Sequence, residues 1–368
     1  MTKIENTGRG LDLTRLSTAN AELVLKLRRE SMLPAHSEGA WKHGRITTAD
    51  SDLLMGPQGA ATTANAELFG SAFFSEPMTN YAVGWSDPEG YDALIEFIAP
   101  NFPAPGELFQ FREFDNSEEF LSDGTYDDLR AIKGDFKTVD YTEALASGRV
   151  LNRGLRIELD WDYIKNDPIW QQRYTGKLMA RLKRNQARRA FALAVAAGTS
   201  APLTFSTGGP GPDEQLNGQV IASGDLMGIN PNRMLMGLTA WLYRRDAYAN
   251  ATTSTNQYAA AAALTRKFED LAALLMLEGR LDAGRYQNGT SKSEIVGANV
   301  LFFTGKAGVD QEDPTNFKLA WVNCQNGQRF AVYVRQLSVK KWEIVVEHYE
   351  LLFCASTLGV QVCAITGS

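Results

Sequence analysis

The chain has 368 residues, which exceeds the roughly 250–300 at which one hydrophobic core stops growing, so two packed regions with extended segments are expected. Hydrophobic residues make up 44% and charged residues 22%, a globular composition that excludes a disordered chain. Thirty-seven Lys and Arg against 43 Asp and Glu give a net charge of −6, which argues against a chain built mainly to bind nucleic acid. No apolar run is long enough to span a membrane, and the N-terminal residues lack the apolar core of a signal peptide, so we expect neither membrane insertion nor secretion.

The first third of the sequence carries few structural signals. Residues 1–66 are predicted to form an N-terminal arm, with a short amphipathic helix at 18–29 and a small, polar stretch at 56–66. Folded structure is expected from residue 67 onward, beginning with a helix near 89–98.

Three strands are predicted between residues 107 and 161, at 108–114, 137–141 and 150–161. In the last of them, Leu155, Ile157, Leu159 and Trp161 alternate with Arg156, Glu158 and Asp160, which is typical of a half-buried strand. The first two strands enclose an acidic segment at 115–128 without Lys or Arg. We interpret it as a solvated loop or an arm that binds a basic partner; its acids are Asp115, Glu118, Glu119, Asp123, Asp127 and Asp128.

A long helix is predicted at residues 167–197. Asp167 and Pro168 suit the N-cap and first turn, and Gly198 lies directly beyond the end. No acid occurs from residue 168 to 212, although the helix carries many cations. They fall on one stripe at spacings of three and four residues: Arg173, Lys177, Arg181, Arg184 and Arg188. The stripe is either a solvated face or a surface that needs an external anion, such as DNA phosphate or an acidic arm of a neighbouring copy.

The rest of the chain mixes helices and strands without a regular βαβ succession, so the predicted fold class is α+β. A turn-rich hairpin or loop is expected at 199–212, an apolar strand or helix entry at 231–248, and a helix at 258–277. Strands are expected at 281–286, 299–303, 317–322, 330–336, 342–353 and 360–365.

Candidates for chemistry are sparse. Cys324, Cys354 and Cys363 lack metal-ligand spacing and are interpreted as reduced core thiols. Asp160 and Asp162 could form an acid–base pair, but the simpler interpretation is a strand edge that caps the next helix. We therefore expect no enzyme, no cofactor and no metal.

The order of these elements resembles the major capsid proteins of tailed bacteriophages, which have the Hong Kong ninety-seven (Johnson) fold. The similarity runs from about residue 107 to 365 and rests on segments 133–141 and 155–160, the long helix after Asp167, segment 229–237, and the runs at 274–281, 296–303 and 342–365. The resemblance implies an N-terminal arm (1–66), a peripheral domain (67–106 and 151–228) with a spine helix (167–197), an extended loop (107–150), a mainly axial domain (229–340) and closing strands (341–368).

Membership of this family implies self-assembly into hexamers and pentamers that form an icosahedral shell around double-stranded DNA. The partners would be other copies of the chain, packaged DNA on the inner face, and separate scaffolding, portal and decoration proteins. The location would be the virion capsid, assembled in the host cytoplasm. An encapsulin-type nanocompartment shell is the alternative within the same fold. A soluble α+β enzyme that uses Asp160, Asp162 or a site without a recognised motif is the alternative from another class.

Overall fold

The computed structural model describes residues 73–113, 130, 132, 134–136, 145–206, 210–250, 257–306, 314–324 and 327–367. The chain divides into two compact units, Met1–Ala66 and Glu67–Ser368, and the described residues all belong to the second. The predicted arm at 1–66, the helix at 18–29, the strand at 137–141 and the six acids of segment 115–128 lie outside the described residues.

Within the described residues the helices vary in length, from a single turn to the long helix that the sequence predicts. They are α1 (Glu76–Val83), α2 (Tyr91–Ile98), α3 (Trp161–Ile164), α4 (Trp170–Ala197), α5 (Pro212–Met227), α6 (Leu238–Ala249), α7 (Gln257–Thr265) and α8 (Phe268–Leu274).

The strands occur both before and after α4. They are β1 (Asn101–Pro103), β2 (Leu108–Arg112), β3 (Leu145–Arg149), β4 (Leu151–Asp160), β5 (Thr199–Ser200), β6 (Leu203–Phe205), β7 (Arg233–Gly237), β8 (Glu278–Asp282), β9 (Arg285–Asn288), β10 (Ser291–Glu294), β11 (Asn299–Phe303), β12 (Phe317–Val322), β13 (Phe330–Ser338), β14 (Lys341–Cys354) and β15 (Gln361–Gly367).

Two large sheets organise the fold. The first has five strands in the order β1-β12-β14-β13, with β4 antiparallel to β14. The second has six strands in the order β5-β15-β11-β7-β8, with β6 also paired to β15. The predicted α+β class is confirmed. Strands β12 and β13 lie in the first sheet beside β14, although the sequence-based division assigned residues 229–340 mainly to an axial domain; that division stays a prediction.

Helix α4 packs into two hydrophobic clusters, one in each half of its length. Its first half contributes Leu178, Met179 and Leu182 to a cluster with side chains of β13 and β14. In its second half Ala190 and Ala194 join a second cluster with α2, β11 and β12. Because alanine side chains are short, this half of the helix can approach its neighbours closely.

Several predicted elements have different limits in the structure. The segment 199–212 is not a hairpin, because β5 and β6 each pair in parallel with β15. The predicted helix 258–277 is broken between α7 and α8, where Lys267 has extended backbone and donates its N–H to the carboxylate of Asp270. The predicted strand 281–286 is split into β8 and β9 at Gly284, where a Cβ would lie 2.9 Å from Tyr91. Helices α1 and α5 were not predicted.

Candidate functional site

The long helix begins and ends for local reasons that differ slightly from the predicted ones. The carboxylate of Asp167 accepts the Ile169 N–H at 3.1 Å, and regular helix starts at Trp170. Gly198 follows the last turn with extended backbone (φ −83°), so it is not a left-handed cap. A Cβ there would lie 2.3 Å from Val362, and glycine is therefore required by the close approach of β15.

The basic stripe of α4 is partly neutralised within the chain. Arg173 forms an ion pair with Asp167, and Nη2 of Arg184 donates to both carboxylate oxygens of Glu89 at 2.7 and 2.6 Å. The hydrogen bond from Arg184 lowers the pKa of Glu89. These two stripe residues therefore have carboxylate partners in the same chain, and the contact of the stripe with other copies or with DNA stays a prediction.

The other three stripe residues remain exposed. Lys177 lies 4.8 Å from the ring centroid of Tyr174, and Arg188 lies 3.8 Å from that of Tyr286. Within the described residues, Arg181 has no ion pair. These cations leave the middle of the helix with positive charge facing solvent.

The opposite side of α4 is joined to β14 by a buried carboxylate. Glu350 is 1% exposed and accepts from Gln186 and Arg189 of the helix, while Nε of Arg153 lies 3.3 Å away. Nε2 of His348 lies 3.2 Å from Oε2 of Glu350. Burial alone would raise the pKa of Glu350, but His348 and Arg189 outweigh it and lower the pKa to about 2.

A second buried cation on α4 binds α2. Nζ of Lys183 lies 2.5 Å from the carboxylate of Asp92 and 5.1 Å from the ring centroid of Phe330. Burial and the nearby Arg329 lower the pKa of Lys183. Some cations of α4 thus form ion pairs within the subunit, whereas Lys177, Arg181 and Arg188 are exposed to solvent.

The base of the predicted extended loop is a two-stranded ribbon on the far side of the first sheet. Strands β2 and β3 are antiparallel, and Phe109 and Phe111 pack on Phe353 of β14. Gly148 of β3 lies against Leu351, where an added Cβ would be 2.9 Å away. Residues 351 and 353 alternate with residue 350, so the ribbon and α4 lie on opposite faces of β14.

Asp160 and Asp162 do not form an acid–base pair on one strand face. The carboxylate of Asp160 accepts the Asp162 N–H at 2.9 Å and caps α3, whereas Asp162 belongs to that helix. The side chain of Asp162 pairs with Lys165 at 3.2 Å and Lys340 at 3.3 Å, which lowers its pKa. Both carboxylates therefore have local structural partners.

The cysteines show no arrangement for chemistry. All three are free thiols; Cys324 and Cys363 are buried, and burial raises the pKa of each to about 12. In the described part of the chain, no three His, Cys, Asp or Glu side chains are grouped closely enough to hold a metal ion. Among these residues, no helix has the length and apolarity of a membrane span.

Comparison with known proteins identifies the fold. No protein-family model and no curated protein matches the sequence. A phage-related protein from Bordetella bronchiseptica RB50 is similar in structure, with a TM-score of 0.57 and 14% identity over 80% of this chain and 97% of that one. The chain therefore shares the fold of this phage-related protein.

Two weaker similarities involve shell-forming structures. A capsid structure of cyanophage P-SCSP1u gives a TM-score of 0.45 and 10% identity, covering 73% of this chain and 86% of that one. An encapsulin structure from Synechococcus elongatus PCC 7942 gives a TM-score of 0.40 and 11% identity, covering 82% of this chain and 94% of that one. TM-scores of this size do not establish a shared fold.

Proposed function

We propose that the chain is the major capsid protein of a tailed bacteriophage, which self-assembles into hexamers and pentamers of an icosahedral shell around double-stranded DNA. The observation that carries the proposal is the fold shared with a phage-related protein over 97% of that protein's length. The order of ribbon, long helix and closing strands agrees with the family resemblance of the sequence.

Exposed apolar side chains support association with other copies. Large hydrophobic residues that normally lie inside a protein are exposed at separate places, including Tyr163 (82%), Val339 (86%) and Met276 (91%). On the ribbon, Leu108 and Leu145 are also exposed. An isolated subunit leaves all of these apolar side chains in water, and contacts with other copies would remove them from it.

Charge supports the same proposal. Segment 115–128 contains six acids and no Lys or Arg, and the exposed cations of α4 offer it a partner on another copy. Lys177, Arg181 and Arg188 could equally face packaged DNA on the inner surface of the shell. Individual surface pairs contribute only about 0–1 kcal/mol, but their repetition around a shell selects one arrangement of subunits.

The proposal assigns the chain a structural role in the virion, with assembly in the host cytoplasm. Its partners would be copies of itself, packaged DNA, and separate scaffolding, portal and decoration proteins. It includes no catalytic step, cofactor or metal. Asp160 and Asp162, on which an enzymatic role would rest, are engaged in capping α3 and in ion pairs with two lysines.

Expression of the full chain, followed by size-exclusion chromatography with light scattering and negative-stain microscopy, tests the proposal. Shells, tubes or capsomer rings of many copies are the expected result. A monomer or small dimer at all concentrations, with or without a scaffolding partner, would overturn it. A portal or terminase gene beside the coding sequence would favour the phage capsid, whereas a cargo-protein gene there would favour an encapsulin-type shell.

Charge reversal tests the exposed part of the stripe. Lys177→Glu with Arg181→Glu is expected to lower particle yield at least several-fold without unfolding the subunit, because neither residue has a carboxylate partner in the described structure. Arg173→Gln serves as the matched control, since its partner Asp167 is in the same chain. Normal particle yield from the double variant would remove the stripe from the proposal.

A further inference from the structure

The β9–β10 hairpin turns at an Asn-Gly pair that faces solvent. Asn288 is the last residue of β9 and pairs with Ser291 of β10, so Gly289 and Thr290 form the connection between the strands. Gly289 has a φ of +58° and the φ of Thr290 is not positive, which is the pattern of a type II′ hairpin turn. Asn288, Gly289 and Thr290 are all exposed. The turn therefore presents an asparagine side chain to water directly before a glycine.

The side-chain amide of Asn288 is held weakly. Its Nδ2 donates to Oγ of Ser293 at 3.4 Å, which is longer than a typical N–H···O bond. The turn itself is fixed by other groups, because Nε2 of Gln287 donates to the Gly289 carbonyl at 2.6 Å and Oγ of Ser291 donates to the Asn288 carbonyl at 3.2 Å. Neither bond engages the Gly289 N–H, which has no backbone acceptor among the described residues.

A backbone nitrogen that follows an asparagine can attack its side chain. The nitrogen of Gly289 forms a bond to Cγ of Asn288, the bond from Cγ to Nδ2 breaks, and ammonia leaves with the proton that the Gly289 N–H gives up. Water then opens the cyclic succinimide at either carbonyl, which yields aspartate or, where the main chain now runs through Cβ, isoaspartate. Glycine favours the attack because it has no Cβ to crowd the nitrogen. We propose that Asn288 is a site of spontaneous deamidation, with water as the only other reactant.

A second Asn-Gly pair in the same chain provides an internal comparison. Asn217 and Gly218 are also exposed, and a Cβ at Gly218 or at Gly289 would meet nothing within 4 Å, so crowding does not distinguish the two sites. Asn217 and Gly218 lie inside α5, however, where the Gly218 N–H is directed at the carbonyl four residues earlier. Attack on Asn217 requires this helical turn to open first. Because a misplaced reacting group can slow a reaction about 100-fold, the fold should protect Asn217 and leave Asn288 reactive.

Conversion of Asn288 changes the hairpin in two ways. Either product adds a negative charge to the turn, and isoaspartate also adds a methylene to the main chain, so the pairing of β9 with β10 cannot continue unchanged across the turn. The hairpin contacts two helices, since the Tyr91 hydroxyl donates to the Arg285 carbonyl at 3.1 Å and Arg188 lies 3.8 Å from the ring centroid of Tyr286. A converted chain therefore differs in charge and, as isoaspartate, in the strand that contacts α4.

Timed incubation of the full-length chain as unassembled subunits in neutral buffer tests the proposal. Peptide mapping by mass spectrometry, with chromatographic separation of aspartate from isoaspartate, follows each Asn-Gly pair. In the folded chain Asn288 is expected to convert at least about ten-fold faster than Asn217. In urea the two rates should become similar, because both sites then share the same local sequence. Incubation in heavy-oxygen water should place one label in each new carboxyl group.

Two variants serve as matched controls. Asn288→Gln should abolish the modification of the hairpin, because attack on the longer side chain needs a larger ring. Asn217→Gln should leave the rate at Asn288 unchanged. A third pair, Asn326 and Gly327, begins outside the described residues and is resolved from the other two by the peptide map.

Each outcome decides the proposal. Faster conversion at Asn288 than at Asn217 in the folded chain, with isoaspartate among the products and no such difference in urea, supports it. Equal rates in the folded chain, or a faster rate at Asn217, would overturn the role of the hairpin. Aspartate without isoaspartate would indicate direct hydrolysis of the side chain and overturn the attack by Gly289. An intact Asn288 after the unfolded chain has converted would refute the site. None of these results depends on assembly, so the proposed capsid function is tested separately.

Discussion

The buried carboxylate between α4 and β14 offers the sharpest prediction about the stability of the subunit. Glu350→Gln keeps the size of the side chain and removes its charge, leaving Arg189, Arg153 and His348 facing a neutral amide. The pKa of Glu350 falls from 4.5 to about 2 on folding. At about 1.4 kcal/mol per pKa unit, this corresponds to about 3 kcal/mol of stability at pH 7, which agrees with the ~3–5 kcal/mol typical of breaking a buried ion pair.

The effect has a definite pH dependence. Because the pKa is lower in the folded state, the stabilisation by Glu350 is complete above the unfolded value of 4.5 and is lost as the pH falls toward about 2. The free energy of unfolding of Glu350→Gln should therefore lie about 3 kcal/mol below that of the unsubstituted chain at pH 7. At about pH 3 the difference should shrink to about 1 kcal/mol, since most of the interval between the two pKa values has been crossed.

Urea unfolding of unassembled subunits, followed by tryptophan fluorescence, measures these differences. Glu158→Gln is the matched control, because Glu158 is exposed and its ion pair with Arg156 at 3.7 Å is solvated. This substitution should lower the free energy of unfolding by less than about 1 kcal/mol. A difference of less than about 1 kcal/mol for Glu350→Gln at pH 7, or one that is unchanged near pH 3, would refute the role assigned to the Glu350 network.

Five further substitutions, at four positions, test other parts of the fold by denaturant unfolding. Arg244→Lys should lower the free energy of unfolding by about 1–3 kcal/mol, because Arg244 is fully buried and donates two hydrogen bonds to Asp213 that lysine cannot reproduce, at 2.6 and 2.9 Å. An unchanged free energy of unfolding would mean that this ion pair does not contribute to stability. Gly237→Ala should lower the free energy of unfolding by more than about 3 kcal/mol, since its Cβ would lie 1.9 Å from a backbone oxygen. Gly218→Ala, in open space on α5, should raise the free energy of unfolding by about 0.5–1 kcal/mol. Similar effects at both positions would contradict the packing around Gly237. Met276 has a φ of +59°, a backbone conformation that Asn adopts more readily than Met and that β-branched Val disfavours. Met276→Asn should therefore raise the free energy of unfolding by about 0.5–1 kcal/mol, and Met276→Val should lower it by about 1 kcal/mol. The reverse order would show that no backbone strain is relieved at this position.

Much of the fold follows from residue patterns that act over short distances. The alternation of Leu155, Ile157 and Leu159 predicts both the strand and its buried side, and β4 shows that pattern from Leu151 to Asp160. Strands β11 and β12 were predicted with the limits that the structure shows, because both are short segments rich in aromatic and aliphatic residues. The extent of α4 was predicted to within three residues, because Asp167 and Pro168 mark its start and Gly198 follows its end.

The missed elements have local signals that conflict with their structure. Helix α5 contains Gly218 and Gly224, which lower intrinsic helix propensity, and packing of Leu216 and Val220 against side chains of β7, β11 and β15 offsets this cost. The break between α7 and α8 follows from the hydrogen bond between Asp270 and the N–H of Lys267, whereas the apolar spacing continues across it.

The electrostatic role of α4 could be predicted only in part. A stripe of cations is visible in the sequence, but the acids that neutralise Arg184, Lys183 and Arg189 come from α2, its preceding turn and β14. These partners lie about a hundred or more residues away along the chain, so a count of nearby charges cannot find them.

The most direct test of the central claim is a cryo-electron microscopy reconstruction of the particles formed by the full-length chain, alone or with its scaffolding partner. The account predicts closed shells with five-fold and six-fold capsomers, in which α4 and the β2–β3 ribbon of each copy contact neighbouring copies. Particles without such capsomers, or a chain that stays monomeric under every assembly condition, would contradict it.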